Sequence, residues 1–269
     1  MRPMLTANFH THSTFCDGTS TPREMVEQAL ELGFTALGFS GHVDIDPVMD
    51  IEAYLSEIRC LQKEYADRIE ILCGGEFDTF YPDPLRDGFD YKIGSNHFLD
   101  VGEEKPISVD YSETVFRKLL HDYFGGDVYK LCKSYFERVT EIYDITRCDV
   151  IGHFDLVTKF NNRLNLIDED NYRYVNPALE ALDYLLSEGA AFEVNTRMIR
   201  DGRIYPAKRF LKRIRETNGE ILISSDAHNA VDLNSGFNEA VELVKGCGFD
   251  HINYLSMKTG KLQFVPIGI

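Results

Sequence analysis

The chain has 269 residues, 43% of them apolar, and a net charge of −16. Such a length suits one barrel-sized domain or two smaller ones, and the apolar content is ample for a large core. The negative balance argues against a general nucleic-acid binder, which carries a basic stripe, but not against an anionic substrate, because bound metal ions invert the local field.

The predicted elements alternate between strand and helix almost throughout. A first strand, Met4 to Phe9, leads into His10-Thr11-His12-Ser13, with Asp17-Gly18 close behind. In a strand, residues two apart share a face, so His10 and His12 project together and two imidazoles can grip one metal ion. A single His-x-His also arises by chance or as a surface pair, so further ligands must decide. Thr21-Pro22-Arg23-Glu24 starts a helix, with a capping Thr, Pro at the first helical position and Glu three after the cap. It runs to about Leu32 and ends at Gly33. A strand from Thr35 to Phe39, a helix from Ile51 to Asp67, and strands Ile69 to Cys73 and Tyr91 to Gly94 follow. Ser112 to Thr146 is helical, broken near Gly125-Gly126. Then come strand Cys148 to Ile151, helix Asn176 to Ser187, strand Ala190 to Val194, helix Pro206 to Thr217 and strand Glu220 to Ile223. Helix Ser235 to Lys245 and a short strand near His251 to Leu255 complete the series.

This alternation implies parallel strands joined by crossover helices. No repeat, low-complexity tract or linker interrupts it. A closed barrel and an open sheet both fit the pattern alone. Tyr81 to Asp90, Asp100 to Tyr111 and Asn161 to Asn171 read as long loops, a length often tied to function. The six cysteines (Cys16, Cys60, Cys73, Cys132, Cys148 and Cys247) form no C-x-x-C pair and are expected to be reduced and mostly packed. The His-x-His pair comes too early for a signal peptide, and no apolar run is long enough to span a bilayer, so a cytoplasmic protein without a membrane partner is expected.

Polar residues fall in a regular place. The predicted strands lead in turn to His10 and His12, to Ser40-Gly41-His42, to Gly74-Gly75-Glu76, to Ser95-Asn96-His97, to Gly152-His153, to Glu193-Val194-Asn195, and to Ser224-Ser225-Asp226-Ala227-His228. In a closed barrel these C-terminal strand ends meet on one face, where the active site of such a fold lies. Any one of these residues alone reads as a structural His, a cap or an ordinary turn. Together they read as a metal site. His121, inside a helix, and His251, outside the pattern, read as structural.

The set His10-x-His12 with Asp17-Gly18, His42, Glu76, His97, His153 and Asp226-x-His228 resembles the PHP (polymerase and histidinol phosphatase) family, in order and over residues 8 to 228. Within it, Gly94-Ser-Asn-His97-Phe98, Gly152-His153-Phe154-Asp155-Leu156 and Glu193-Val-Asn195-Thr196, with Arg200 and Tyr205-Pro206, are most similar to the histidinol-phosphate phosphatases. Phe154 stands where members often carry Pro, and Arg197-Met198 where a polar-small pair often follows Asn-Thr; the second departure leaves open whether Arg197 or Arg200 faces the substrate. The resemblance implies a single domain over residues 1–269: a distorted (β/α)7 TIM-like barrel with a helical insertion between strands 4 and 5. It also implies a trinuclear site. His10, His12, Glu76 and Asp226 would hold one ion, Glu76 bridging to a second completed by His97 and His153, and Asp17, His42 and His228 a third.

Mixed imidazole and carboxylate ligands suit Zn, Mn or Fe rather than Mg or Ca, so the three ions that the resemblance implies are expected to be divalent transition metals. Such a cluster suits hydrolysis of a phosphate ester, with Glu76, Asp17 and His228 as the catalytic set. The expected reaction is L-histidinol phosphate to L-histidinol and phosphate, a step of histidine biosynthesis on a small phosphorylated metabolite. Arg163, Arg197, Arg200 and Lys159 lie in loops after the fifth and sixth strands, and Asn195 ends the sixth. Arg grips phosphate in a bidentate manner, and Arg200 and Arg163 are the favoured pair. Asp44, Asp46, Asp78 or Asp100 would receive the substrate amine. A nucleotide phosphatase or phosphodiesterase of the same family is the alternative. An amidohydrolase is disfavoured because Glu76, not a Lys, occupies the bridging position, and a non-catalytic module because all nine ligand positions are filled.

Overall fold

The computed structural model describes residues 5–45 and 49–269. Met4, the expected start of the first strand, and Asp46 lie outside the described residues. Seven parallel strands form the main sheet in the order β1 (Ala7–Asn8), β2 (Ala36–Val43), β3 (Glu70–Phe77), β4 (Tyr91–Gly94), β7 (Val150–Ile151), β8 (Ala191–Asn195) and β9 (Ile221–Ser224). The sheet closes on itself just past the strand ends. A parallel bridge joins Thr11 to Ala227, where His12 N donates to the Ala227 carbonyl at 2.8 Å and Ala227 N to that of His10 at 3.3 Å. The fold is therefore a seven-stranded α/β barrel of the TIM-like kind.

Period-two alternation sorts the strand residues. Ala36, Leu72, Ala191 and Leu222 pack inside the barrel with Phe9, Tyr91, Ile93 and Val150. Leu37, Ile71, Phe192, Ile221 and Ile223 face the helical layer. Continuing the inward set along each strand, two residues at a time, reaches His42, Glu76, Glu193 and Asn195 at the C-terminal end. Glycine makes the interior fit: a Cβ on Gly74 would lie 2.3 Å from the Tyr91 ring, which fills the space between β2 and β4 and donates its hydroxyl to the Phe9 carbonyl at 2.5 Å.

Helices α1 (Pro22–Glu31), α2 (Ile51–Glu64), α6 (Tyr172–Ser187), α7 (Lys208–Glu216) and α8 (Phe237–Gly246) follow β1, β2, β7, β8 and β9, with a single turn, α5 (Asn161–Leu164), ahead of α6. The insertion after β4 holds a small antiparallel pair, β5 (Phe98–Leu99) with β6 (Ile107–Ser108), and helices α3 (Glu113–Phe124) and α4 (Val128–Thr146), parted at Gly125 and Gly126 with φ of 60° and 79°. The Thr21 capping box of α1 is present.

Several details differ from the sequence expectations. The second and third strands run on to Val43 and Phe77, so His42 and Glu76 lie within strands rather than beyond them. No helix joins β3 to β4 among the described residues. There the Asp90 carboxylate ties the loop down, accepting from Arg59 Nη1 at 2.7 Å, Gln62 Nε2 at 2.8 Å and Cys73 N at 2.7 Å. Helix α6 begins at Tyr172, ahead of Pro177, because Asn171 caps it, accepting from Arg173 N at 2.9 Å. Helix α7 begins at Lys208 because Tyr205 instead pairs with Asn195 in an antiparallel bridge. The last expected strand, β10 (His251–Ser256), has an antiparallel partner the pattern did not suggest, β11 (Gln263–Gly268). Its mostly exposed residues leave no apolar alternation to read. Tyr254 and Leu255 of β10 sit under the N-terminal ends of the barrel strands, the Tyr254 hydroxyl accepting from Thr6 N at 2.7 Å. No described helix is long and apolar enough to cross a membrane. Cysteines 73, 132 and 148 are buried and all six are free thiols.

Candidate metal centre

Glu76, 1% exposed, is the hub of the site. Its Oε1 lies 3.0 Å from His153 Nε2, 3.3 Å from His10 Nε2 and 3.5 Å from His97 Nε2. Its Oε2 lies 3.1 Å from His42 Nδ1 and 3.5 Å from His12 Nε2. One carboxylate thus faces five imidazoles from four different strand ends. Asp226 Oδ1 stands 3.3 Å from His12 Nε2 and 3.8 Å from His10 Nε2. Asp226 is held in the left-handed region at φ 50°, a conformation uncommon for non-glycine residues and tolerated best by Asn and Asp.

The outer part of the site comes from two loops. The Ser13 carbonyl accepts from Gly18 N at 3.0 Å, folding Asp17 back over His12. A Cβ on Gly18 would meet the His12 carbonyl carbon at 2.6 Å, so this turn needs glycine. Asp17 Oδ2 lies 3.1 Å from His228 Nε2, and its Oδ1 3.5 Å from His42 Nε2 and 3.6 Å from His12 Nδ1. All nine residues expected to be ligands are brought together. His121 and His251 pair with neighbouring Asp122 and Asp250 on the surface, away from it.

The donor set fits a bound cation. His10 Nε2, His12 Nε2, His42 Nδ1 and Asp226 Oδ1 are buried and have no hydrogen-bond partner among the described residues. Buried polar atoms are normally satisfied, and lone pairs converging at these distances are satisfied by a metal ion. Groups able to hold one are His12, Asp17, His42 and His228; His10, Glu76 and His153; and His10, His12 and Asp226. A further grouping of His42, Asp44 and His97 was not expected. Burial, reinforced by the charges of His228 and His42, drives His12 down to about 3, and burial takes His97 to about 4. Both imidazoles are therefore neutral, the form that ligates metal. Burial opposes ionisation of Glu76, but the charges of His10 and His42 hold its carboxyl well below the usual range. Burial likewise opposes ionisation of Asp17, which hydrogen bonds from His228 and His42 keep ionised.

A second layer braces this one. Glu193, fully buried, accepts from His10 Nδ1 at 2.6 Å, from His153 N at 2.9 Å, from Asn195 Nδ2 at 3.0 Å and from the Ser224 hydroxyl. It orients one imidazole and pins the backbone of another. Asn195 bonds on to Asp226 Oδ2 at 3.2 Å. Asn195, expected to touch substrate, has its amide turned to these two carboxylates. Asp78 accepts from His97 N at 2.8 Å. Sequence reasoning missed the bracing role of Glu193, although its inward register on β8 signals it.

The ligands open into a cavity of about 730 Å³. Lys159 and Arg197 line it; Arg163 and Arg200 do not. Arg163 pairs with Glu113 at 3.2 Å and Arg200 with Asp232 at 2.6 Å, both in exposed positions. Of the acidic candidates for an amine, Asp44 lines the cavity, while Asp78 is engaged by His97 N, Phe80 N and Thr79 Oγ1, and Asp100 bonds to Gly102 N.

Residues 8–197 match the PHP domain. The chain is 28% identical over 260 residues to the probable histidinol-phosphatase of Deinococcus radiodurans, covering 89% of this chain and 92% of that protein. It is 26% identical over 269 residues to the histidinol-phosphatase of Bacillus subtilis, covering 87% and 97%. Among solved structures, the histidinol phosphate phosphatase of Lactococcus lactis, complexed with zinc, L-histidinol and phosphate, shares the fold. The TM-score is 0.74 at 24% identity, over 96% of this chain and 98% of that one.

Proposed function

This chain belongs to the PHP domain family, and from that premise we propose that it is a metal-dependent histidinol-phosphatase, converting L-histidinol phosphate to L-histidinol and phosphate. The observation that carries this reading is the meeting of nine ligand-type side chains around Glu76 in one cavity that also presents Arg197 and Lys159. In this reading residues 1–269 act as one domain, in histidine biosynthesis.

Three divalent ions, Zn, Mn or Fe, fit the ligand set: one with His10, His12, Glu76 and Asp226, one with Glu76, His97 and His153, and one with Asp17, His42 and His228. Bound there, they would supply Lewis-acid stabilisation of the phosphate and a water of lowered pKa. The chain's own groups do the rest. Glu76 presents two ionised oxygens to separate groups of imidazoles, which suits a bridge. Glu193 holds the His10 ring through Nδ1, leaving Nε2 turned to the site. Arg197, whose side chain has no carboxylate partner among the described residues, is free to take phosphate oxygens. Lys159, 2.9 Å from Asp110, adds a second positive charge. Asp17 and His228 complete the outer edge, where the alcohol leaves.

The test is phosphate release from L-histidinol phosphate, a nucleotide monophosphate and a phosphodiester, with bound metal measured on the same sample. Preference for histidinol phosphate by at least about a hundredfold in kcat/KM, roughly 2.7 kcal/mol of discrimination, supports the reading. Faster turnover of the nucleotide or diester overturns it.

A further inference from the structure

The cavity lining is of two unlike kinds. One is the histidine and carboxylate set already described. The other is apolar and includes Phe98, Pro106, Ile107, Tyr111, Val115 and Met198. Five large hydrophobic residues are conspicuously exposed among the described ones: Leu85, Tyr111, Tyr172, Val231 and Val265. Tyr111 alone of these borders the cavity, and it is 80% exposed there.

Its backbone is pinned on both sides. Ser108 Oγ accepts from Asp110 N at 3.1 Å and from Tyr111 N at 3.0 Å. The next residue, Ser112, caps α3 by accepting from Val115 N at 3.2 Å. Asp110 is held in turn by Lys159 Nζ at 2.9 Å. A rigid stretch of chain thus presents an open aromatic face at the mouth of the cavity. Tyr has only two side-chain torsions to immobilise, so it gains contact area at small entropic cost.

We infer that Tyr111 is a specificity residue that stacks on the substrate's heteroaromatic ring. This inference rests on the histidinol phosphate reading and deepens it. A substrate whose phosphate is taken at the ligand set, by Lys159 and Arg197, extends its other end toward the apolar lining and the mouth. An imidazole arriving there meets an aromatic face and apolar neighbours, and aromatic pairs attract in stacked or edge-to-face arrangements.

The experiment compares Tyr111→Ala and Tyr111→Phe with the wild-type enzyme, all metal-loaded. Phosphoethanolamine serves as the control ligand, because it carries the phosphate and ammonium but no ring. For Tyr111→Ala, KM for L-histidinol phosphate rises about three- to tenfold, the order expected for one aromatic pair. The inhibition constant of phosphoethanolamine stays within about twofold, and Tyr111→Phe recovers the wild-type KM. An unchanged KM in Tyr111→Ala, or equal weakening of both ligands, overturns the assignment while leaving the phosphatase reading intact. A wild-type enzyme inactive on L-histidinol phosphate overturns both.

Discussion

The floor and the rim of the ligand set are built differently. On the floor, the side chains of His10, Glu76 and His153 are 0%, 2% and 3% exposed. At the rim, those of His228 and Asp17 are 19% and 42% exposed. Floor residues are placed by strand register and by Glu193, which reaches two of them at once. Rim residues are placed by two loops, joined where Thr19 N donates to the His228 carbonyl at 2.7 Å. The difference teaches that the floor is fixed by buried protein contacts, whereas water can stand in for what the rim loses.

Substitutions along that gradient test the contrast. Glu76→Ala removes the group that every floor imidazole faces, and phosphatase activity is expected to fall below detection while circular dichroism shows the fold retained; near-normal turnover would refute the site. Glu193→Gln keeps the shape but loses the charge that holds the His10 imidazole, and metal affinity in equilibrium dialysis, with kcat/KM, should drop roughly 10- to 100-fold. Arg197→Ala removes the charged donor proposed for phosphate, and a KM increase of about tenfold or more is expected in steady-state kinetics. Asp17→Asn, at the wet rim, should weaken binding of one ion by about tenfold or less, read as stoichiometry against free zinc; a loss as large as that of Glu193→Gln would erase the floor–rim distinction. The smallest effect belongs to Arg200→Ala and Arg163→Ala. These residues pair with Asp232 and Glu113 outside the cavity, and their kcat/KM should stay within about twofold of wild type.

Much of this was legible in the chain. The alternation of strands and helices, the Thr21 cap and the glycine break at Gly125 are local features, and local chemistry writes them into sequence. The β10–β11 hairpin was half missed because β11 has neither apolar alternation nor a buried face of its own. The choice among cations was not legible for a related reason. Arg163, Arg197, Arg200 and Lys159 are similar in type and loop position, and nothing in their order tells which way each turns. Asp232 and Glu113 draw two of them away.

The sequence by itself determined the ligand types and their place at strand ends, because the period of a strand makes His42, Glu76 and Glu193 inward residues whatever surrounds them. Barrel or open sheet was beyond the strand pattern, although the family resemblance implied the barrel. That was decided by the Thr11–Ala227 bridge, a pairing across more than two hundred residues that local propensity does not encode. Closure brings His10 of the first strand against Glu193 of the sixth. It thereby separates a carboxylate that orients a ligand from those that face the ions, a distinction between chemically like residues that only their position in space can make.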